Sequence, residues 1–254
     1  MTRRQAVWPQ QIRSRCATVF AALGLIAAGM VCVPPALAIP EEQAIKKLEV
    51  IPVFVLVDGQ GLPLPIPREK DLLLPLYLES ATANQQLAGL KKSNPNLKVS
   101  VVAVPLNVMN AKISELNKQL KDKNKPFVAP IVGKEADRQQ ALSLLKAQGL
   151  SEKQINEGLA VPVFFTKPFL TVTTPQGPRG VFYFSYEDMQ ASIGRLPAAD
   201  RDKLKPQVAD ISAVLREIIK SPDDNFVIYP TAEYFRLVQE NQAKSPGGSA
   251  AGSR

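Results

Sequence analysis

The chain has 254 residues, a formal net charge of +8, 45% hydrophobic residues and no histidine. That size suits one large domain or two small fused ones, and the lack of histidine removes Ser-His-Asp and Cys-His catalysis and a usual zinc ligand. The basic excess forms no arginine-rich stripe with interleaved aromatics, so it is not a nucleic-acid signature.

Residues 1–38 read as a cleavable export leader. Arg3, Arg4, Arg13 and Arg15 make a basic start without an acidic residue, and an apolar run follows from Ala17 to Val33. Pro34 and Pro35 then lead to Ala36, Leu37 and Ala38, the small-x-small pattern that places cleavage after Ala38. As a retained anchor the run is too short, because 17 residues with two glycines fall below the roughly 20 apolar residues that span a bilayer. Arg3 and Arg4 invite a twin-arginine reading, but Arg13 and Arg15 separate them from the apolar run, which favours general secretion. Gly29, Met30 and Val31 are a poor approach to a lipidated Cys32. Trp8, Cys16 and Cys32 are the only tryptophan and cysteines of the chain. A processed protein would therefore lack Cys, His and Trp, and without disulfides it must rest on its apolar core.

After the leader, Pro40, Glu41 and Glu42 open a short helix through Leu48, a proline and acids suiting the first turn. Val50 to Val57 reads as a buried strand and Asp58-Gly59 as a hairpin turn. Leu62 to Pro67 alternates apolar residues with proline, which confines it to a sheet edge or extended loop. The apolar stretch from Asp71 to Leu78 precedes a helix carrying Ala83, Leu87 and Leu90, stopped by Ser93-Asn94-Pro95-Asn96. Lys98 to Leu106 is predicted as a second buried strand. Met109, Ile113, Leu116 and Leu120 then share one helix face behind Asn107 as N-cap.

A charged turn at Lys121 to Lys125 and an extended piece at Phe127 to Val132 come next. Asp137 to Gln148 is predicted as a helix ended by Gly149, and Ser151 with Gln154 forms a capping box. Val161 to Phe165 is a strand, and Leu170 to Thr174 with Gly180 to Tyr186 forms a hairpin around Pro175-Gln176-Gly177. Leu204, Val208, Ile211, Leu215, Ile218 and Ile219 are predicted to line one side of a single helix. Phe226 to Pro230 is a strand, and residues 243–254, rich in Ser, Gly, Ala, Pro and Lys, read as a disordered tail.

One phrase occurs twice, as Val50-Ile51-Pro52-Val53-Phe54 and as Ala160-Val161-Pro162-Val163-Phe164. A turn, an extended run, a helix, a strand closed by proline (Val101 to Pro105, Phe226 to Pro230) and another helix follow each copy. Repeats decide the architecture before any element does. The expected fold is therefore α+β, with two similar β-hairpin/helix/strand/helix halves related by pseudo-twofold symmetry. The first half spans residues 39–125 and the second, with a linking helix, residues 126–242.

These residues carry a resemblance. The leader ending Ala36-Leu37-Ala38, the Pro52-Val53-Phe54 strand with Asp58-Gly59-Gln60-Gly61, the Val161 to Phe165 strand, and Pro175 to Gly177 leading into Val181 to Asp188 are similar to the Tic family of twenty-two-kilodalton proteins. Plant members of that family belong to the chloroplast inner-envelope translocon and cyanobacterial members are exported. The resemblance implies a soluble, chaperone-like protein between two membranes that helps unfolded preproteins, or outer-membrane β-barrel proteins bound for an Omp85-type pore. It implies no catalytic residue. The bacterial leader favours the cyanobacterial branch and the periplasm, with the thylakoid lumen as second compartment.

Chaperoning needs exposed apolar surface. Burying one Leu or Phe contributes about 1.5–3 kcal/mol, whereas micromolar affinity takes roughly 8 kcal/mol beyond the association cost, so several anchors are required. The candidates are Leu72, Leu73, Leu74 and Leu76 in the first half and Phe165, Phe169, Phe182 and Phe184 in the second. Two such patches could hold one extended chain at two points; the alternative is that these residues are simply core.

No enzyme, metal or cofactor is expected. Ser143 and Lys146 have the Ser-x-x-Lys spacing of penicillin-recognising enzymes but lack the Ser-Asp-Asn and Lys-Thr-Gly partners. Asp58, Asp223 and Asp224 sit in turns without calcium-loop spacing. A carrier of a small apolar ligand or lipid, lined by Phe182, Phe184 and residues 71–78, is the alternative function. Neither a nucleic-acid partner nor stable membrane insertion of the mature chain is expected.

Overall fold

Helix α1 (Glu41–Lys46) starts behind Pro40 and tightens into a 3-10 turn over Lys47–Val50. The apolar run that follows is strand β1 (Pro52–Asp58), buried along most of its length. The Asp58 carboxylate accepts the N–H groups of Gln60 and Leu62 at 2.8 and 2.9 Å, which turns the chain back as Asp-Gly predicts. This computed structural model describes residues 39–120, 124–221 and 223–244. The cleavage site after Ala38 lies outside the described residues.

Short strands β2 (Ile66–Pro67), β3 (Leu72–Leu73) and β4 (Leu76–Tyr77) lead to helix α2 (Ser80–Ser93), edge strand β5 (Val99–Pro105) and helix α3 (Leu106–Gln119). Strands β6 (Phe127–Val128) and β7 (Ile131–Val132) run parallel to β3 and β4. Leu72, Leu74, Leu76 and Leu78 donate to the carbonyls of Pro126, Val128, Pro130 and Val132 at 2.8–3.0 Å. Proline supplies only a carbonyl to a ladder, and at Pro126 and Pro130 only a carbonyl is used.

Helices α4 (Glu135–Ala147) and α5 (Glu152–Gly158) precede β8 (Pro162–Lys167), β9 (Thr171–Thr174) and β10 (Gly177–Phe182). The Ser151–Gln154 capping box opens α5, as predicted. Then follow α6 (Tyr186–Gly194), α7 (Ala198–Arg201), β11 (Lys205–Asp210), α8 (Ile211–Lys220), β12 (Phe226–Ile228) and α9 (Ala232–Lys244).

The two strand sets are ordered alike. One sheet reads β5-β1-β4-β7; in the other set β11 pairs β8, β12 pairs β10, and a bridge from Phe164 to Tyr183 joins β8 to the residue after β10. Pro52 lies opposite Pro105 while Leu106 N–H donates to Ile51 at 2.9 Å; Pro162 lies opposite Asp210 while Ile211 N–H donates to Val161 at 3.0 Å. Phe54 lies opposite Tyr77 as Phe164 lies opposite Tyr183.

One apolar cluster lies between the sets, with Val53, Val55, Leu74 and Leu76 from the first and Val163, Phe182, Phe184 and Ile218 from the second. On the far face of the first sheet Phe54, Tyr77 and Ala83 of α2 meet Leu237 of α9. On the far face of the second, Phe164, Val181 and Met189 of α6 meet Ala141 and Leu145 of α4.

Several sequence expectations change. The helix predicted to start near Leu204 is strand β11 followed by α8, because Pro206 interrupts helical pairing and Pro206, Val208 and Asp210 alternate at the strand period. By pairing, β11 runs antiparallel to β8 as β5 does to β1, and the Phe226 to Pro230 strand runs parallel to β10 as β7 does to β4. Strand β5 is an edge and leaves Val102 41% exposed, so it is not buried on both faces. Helix α3 begins behind Pro105, two residues before the expected cap Asn107. Helix α6 had no sequence counterpart above, although Ser185 caps it by accepting the Asp188 N–H. Beyond the expected boundary at residue 125, β7 joins the four-stranded sheet beside β4, and β6 joins the separate β2-β3-β6 sheet beside β3. Ala243 and Lys244, assigned to the tail, continue α9; the rest of the tail lies outside the described residues.

Candidate functional site

The eight apolar candidates divide by burial. Leu74, Leu76, Phe182 and Phe184 are at most 5% exposed and belong to the central core, so in this conformation they offer a client no surface. Leu72, Leu73, Phe165 and Phe169 are half-buried at its margin. Core placement follows from position: Leu74 and Leu76 occupy the ladder against residues 126–132, and Phe182 ends a strand flanked by β9 and β12.

Around Leu73 an apolar row crosses a small sheet. Ile66 of β2 pairs with Leu73 of β3, which pairs with Val128 of β6, so the three side chains share one face. Ile66 is 52% and Val128 39% exposed. Asn117 of α3 holds β6 in place, its amide donating to the Phe127 carbonyl at 3.1 Å and accepting the Phe127 N–H at 2.7 Å. The row is thus displayed on a braced sheet.

Around Phe165 the second surface is aromatic. Phe165 and Phe169 stack with centroids 5.2 Å apart, and Phe169 meets Phe182 at 5.5 Å and Phe226 at 5.2 Å. The buried Thr166 hydroxyl donates to the Pro168 carbonyl and accepts the Leu170 N–H, both at 2.8 Å, folding Phe169 back over Phe165. A Cβ at Gly180 would stand 3.0 Å from Phe226 and 3.2 Å from Phe169, so any larger residue would push the rings outward by a few tenths of an ångström. The structure thus unites Phe165, Phe169 and Phe182, leaves Phe184 in the core behind, and adds Phe226. Sequence reasoning missed Ile66, Val128 and Phe226, because strand pairing, which a periodicity does not encode, brings them to the others.

The polar candidates have local partners. Ser143 donates to the Gln139 carbonyl at 3.0 Å and Lys146 pairs with Glu152 at 3.4 Å. Asp224, at φ 51°, joins Lys47 at 2.5 Å and Arg179 at 2.8 Å, tying the turn after α1 to β10. Burial pushes the Asp137 and Asp188 carboxyls above their ordinary range. No described helix is long and apolar enough to cross a membrane, and no metal-holding group of carboxylates occurs among the described residues.

A mixed α+β fold with apolar rows on the margins of two similarly ordered strand sets is the class these elements define. The chain belongs to the Tic22-like family, whose pattern matches residues 4–240. The fold is shared with two solved structures. Anabaena Tic22, described as a protein of protein transport, is 20% identical with a TM-score of 0.63, covering 80% of this chain and 97% of its own. Tic22 from Plasmodium falciparum is 18% identical with a TM-score of 0.62, covering 79% and 98%. No curated protein matches the chain.

Proposed function

We propose that the protein is an exported protein-transport factor of the chaperone type. It binds apolar segments of unfolded preproteins or outer-membrane β-barrel proteins and passes them to an Omp85-type pore, in the periplasm or, as second compartment, the thylakoid lumen. Membership of the Tic22-like family supports this reading, as does the protein-transport description of the Anabaena relative. The observation that carries it is the pair of apolar margins, Ile66-Leu73-Val128 and Phe165-Phe169-Phe226, each half-exposed beside a closed core. Such surfaces recognise apolar side chains without a reactive group, so we assign no catalysis. The like-ordered strand sets further lead us to read the chain as two copies of one unit under pseudo-twofold symmetry, so that a client has two anchoring points.

The test is light scattering of an unfolded outer-membrane β-barrel protein diluted into the purified exported protein. Suppressed aggregation at near-stoichiometric ratios, absent with an equally charged control protein, supports the reading. Unchanged aggregation rejects it.

A further inference from the structure

Ile39 is 6% exposed and belongs to the central core. Its N–H donates to the Ile219 carbonyl at 3.1 Å. Ile219 lies in the last turn of α8, where carbonyls have no partner within the helix. Ser221 N–H serves Glu217 and Ile218 there, and Ile39 serves Ile219. Pro40, at φ −53°, then starts α1 at once and holds Ile39 against α8.

In the uncut chain this donor is a neutral amide. Hydrolysis of the Ala38–Ile39 bond by a signal peptidase adds the hydroxyl of water to the Ala38 carbonyl and a hydrogen to the Ile39 nitrogen. The new amine, with an ordinary pKa near 8, takes a further proton from solvent at neutral pH. The same nitrogen then carries a full positive charge and three donors, beside the negative end of the α8 dipole.

We infer that removal of the leader completes the fold: the new α-ammonium group of Ile39 becomes a charged C-terminal cap of helix α8. This rests on the export reading. An interior amide could not supply the charge, so processing and stability are linked through one atom.

The test expresses the full-length precursor in an exporting cell, alongside a precursor with one glycine inserted between Ala38 and Ile39. Intact mass reports each N-terminus. The inserted residue moves the ammonium group about 3.8 Å along the chain and restores a neutral amide at Ile39. The chain beginning at Ile39 is expected to melt about 1–4 °C higher at pH 6, and the difference should vanish at pH 10, where the amine is neutral. Glu41, Glu42 and Lys46 of α1, Arg216, Glu217 and Lys220 of α8, and Asp223 beyond it are present in both chains, so their own titration is common to the two melting curves. Equal melting at pH 6, or a difference that persists at pH 10, overturns the inference while leaving export intact. An uncut chain, or one cut elsewhere, overturns the expected processing and the inference with it.

Discussion

The Asp137 carboxylate of α4 accepts a 2.8 Å hydrogen bond from the backbone N–H of Tyr186, the first residue of α6. The arrangement recurs on the other sheet: Glu233 of α9 accepts the N–H of Ser80, the first residue of α2, at 2.9 Å and its hydroxyl at 2.7 Å. In each case a helix that follows one strand set caps and covers the helix of the other. The strand sets are therefore interlocked by their final helices, and neither far face is closed by its own helices alone.

Removing either carboxylate leaves the first N–H of a helix without its acceptor. Asp137→Ala and Glu233→Ala should each destabilise the protein by about 1 kcal/mol, measured by urea unfolding. Asp137→Asn keeps an acceptor oxygen and should lose less than half of that. Equal losses for Asn and Ala would show that the charge, not the hydrogen bond, matters.

The caps should respond to pH in opposite directions. Burial holds the Asp137 carboxyl above its ordinary range despite the Tyr186 bond. Its folded pKa exceeds the unfolded value near 3.9, so its contribution is present below that value and is lost as pH rises through the folded pKa. At Glu233 burial works upward, but hydrogen bonds from Ser80 and Arg236 prevail and hold the carboxyl below its ordinary range. Its contribution is present above the unfolded value near 4.3 and is lost as pH falls through the folded pKa. Unfolding curves from pH 3 to 7 should show Asp137→Asn flattening the first component and Glu233→Gln the second.

Gly180→Ala should destabilise by about 1–3 kcal/mol, the usual range for overpacking, because its Cβ would meet Phe226 and Phe169 at 3.0 and 3.2 Å. Adding Phe226→Leu should recover part of the loss. Thermal unfolding of the single and double variants checks this, and no recovery would place the strain in the backbone.

Charges on the apolar margins should separate binding from folding. Ile66→Asp and Val128→Asp, at exposed positions, should shift stability by no more than about 0.5 kcal/mol yet weaken client binding roughly tenfold each, the loss of about 1.4 kcal/mol. Phe182→Asp places a charge in the core and should unfold the chain. Circular dichroism beside the aggregation assay distinguishes these outcomes.

Much was legible in the residues themselves. The apolar runs around Val53 and Val163, the Asp58 turn, the Ser151 capping box and the hairpin around Gly177 follow from side-chain pattern and local hydrogen bonding, which act over a few residues. So did the family resemblance, carried by the same short motifs. The chain-wide relationships were not local. Lys205 to Asp210 joins a helix pattern until pairing with β8 makes it a strand, and the apolar candidates looked alike until packing buried Leu74, Leu76, Phe182 and Phe184 and left Leu73, Phe165 and Phe169 at the margin. Only the tertiary structure decided that Ile66 and Val128 flank Leu73 from either side, that Phe226 stands beside Phe169 and that Asp137 accepts the Tyr186 N–H, because hydrophobic burial is non-directional and strand partners distant in sequence are chosen by the whole packed core.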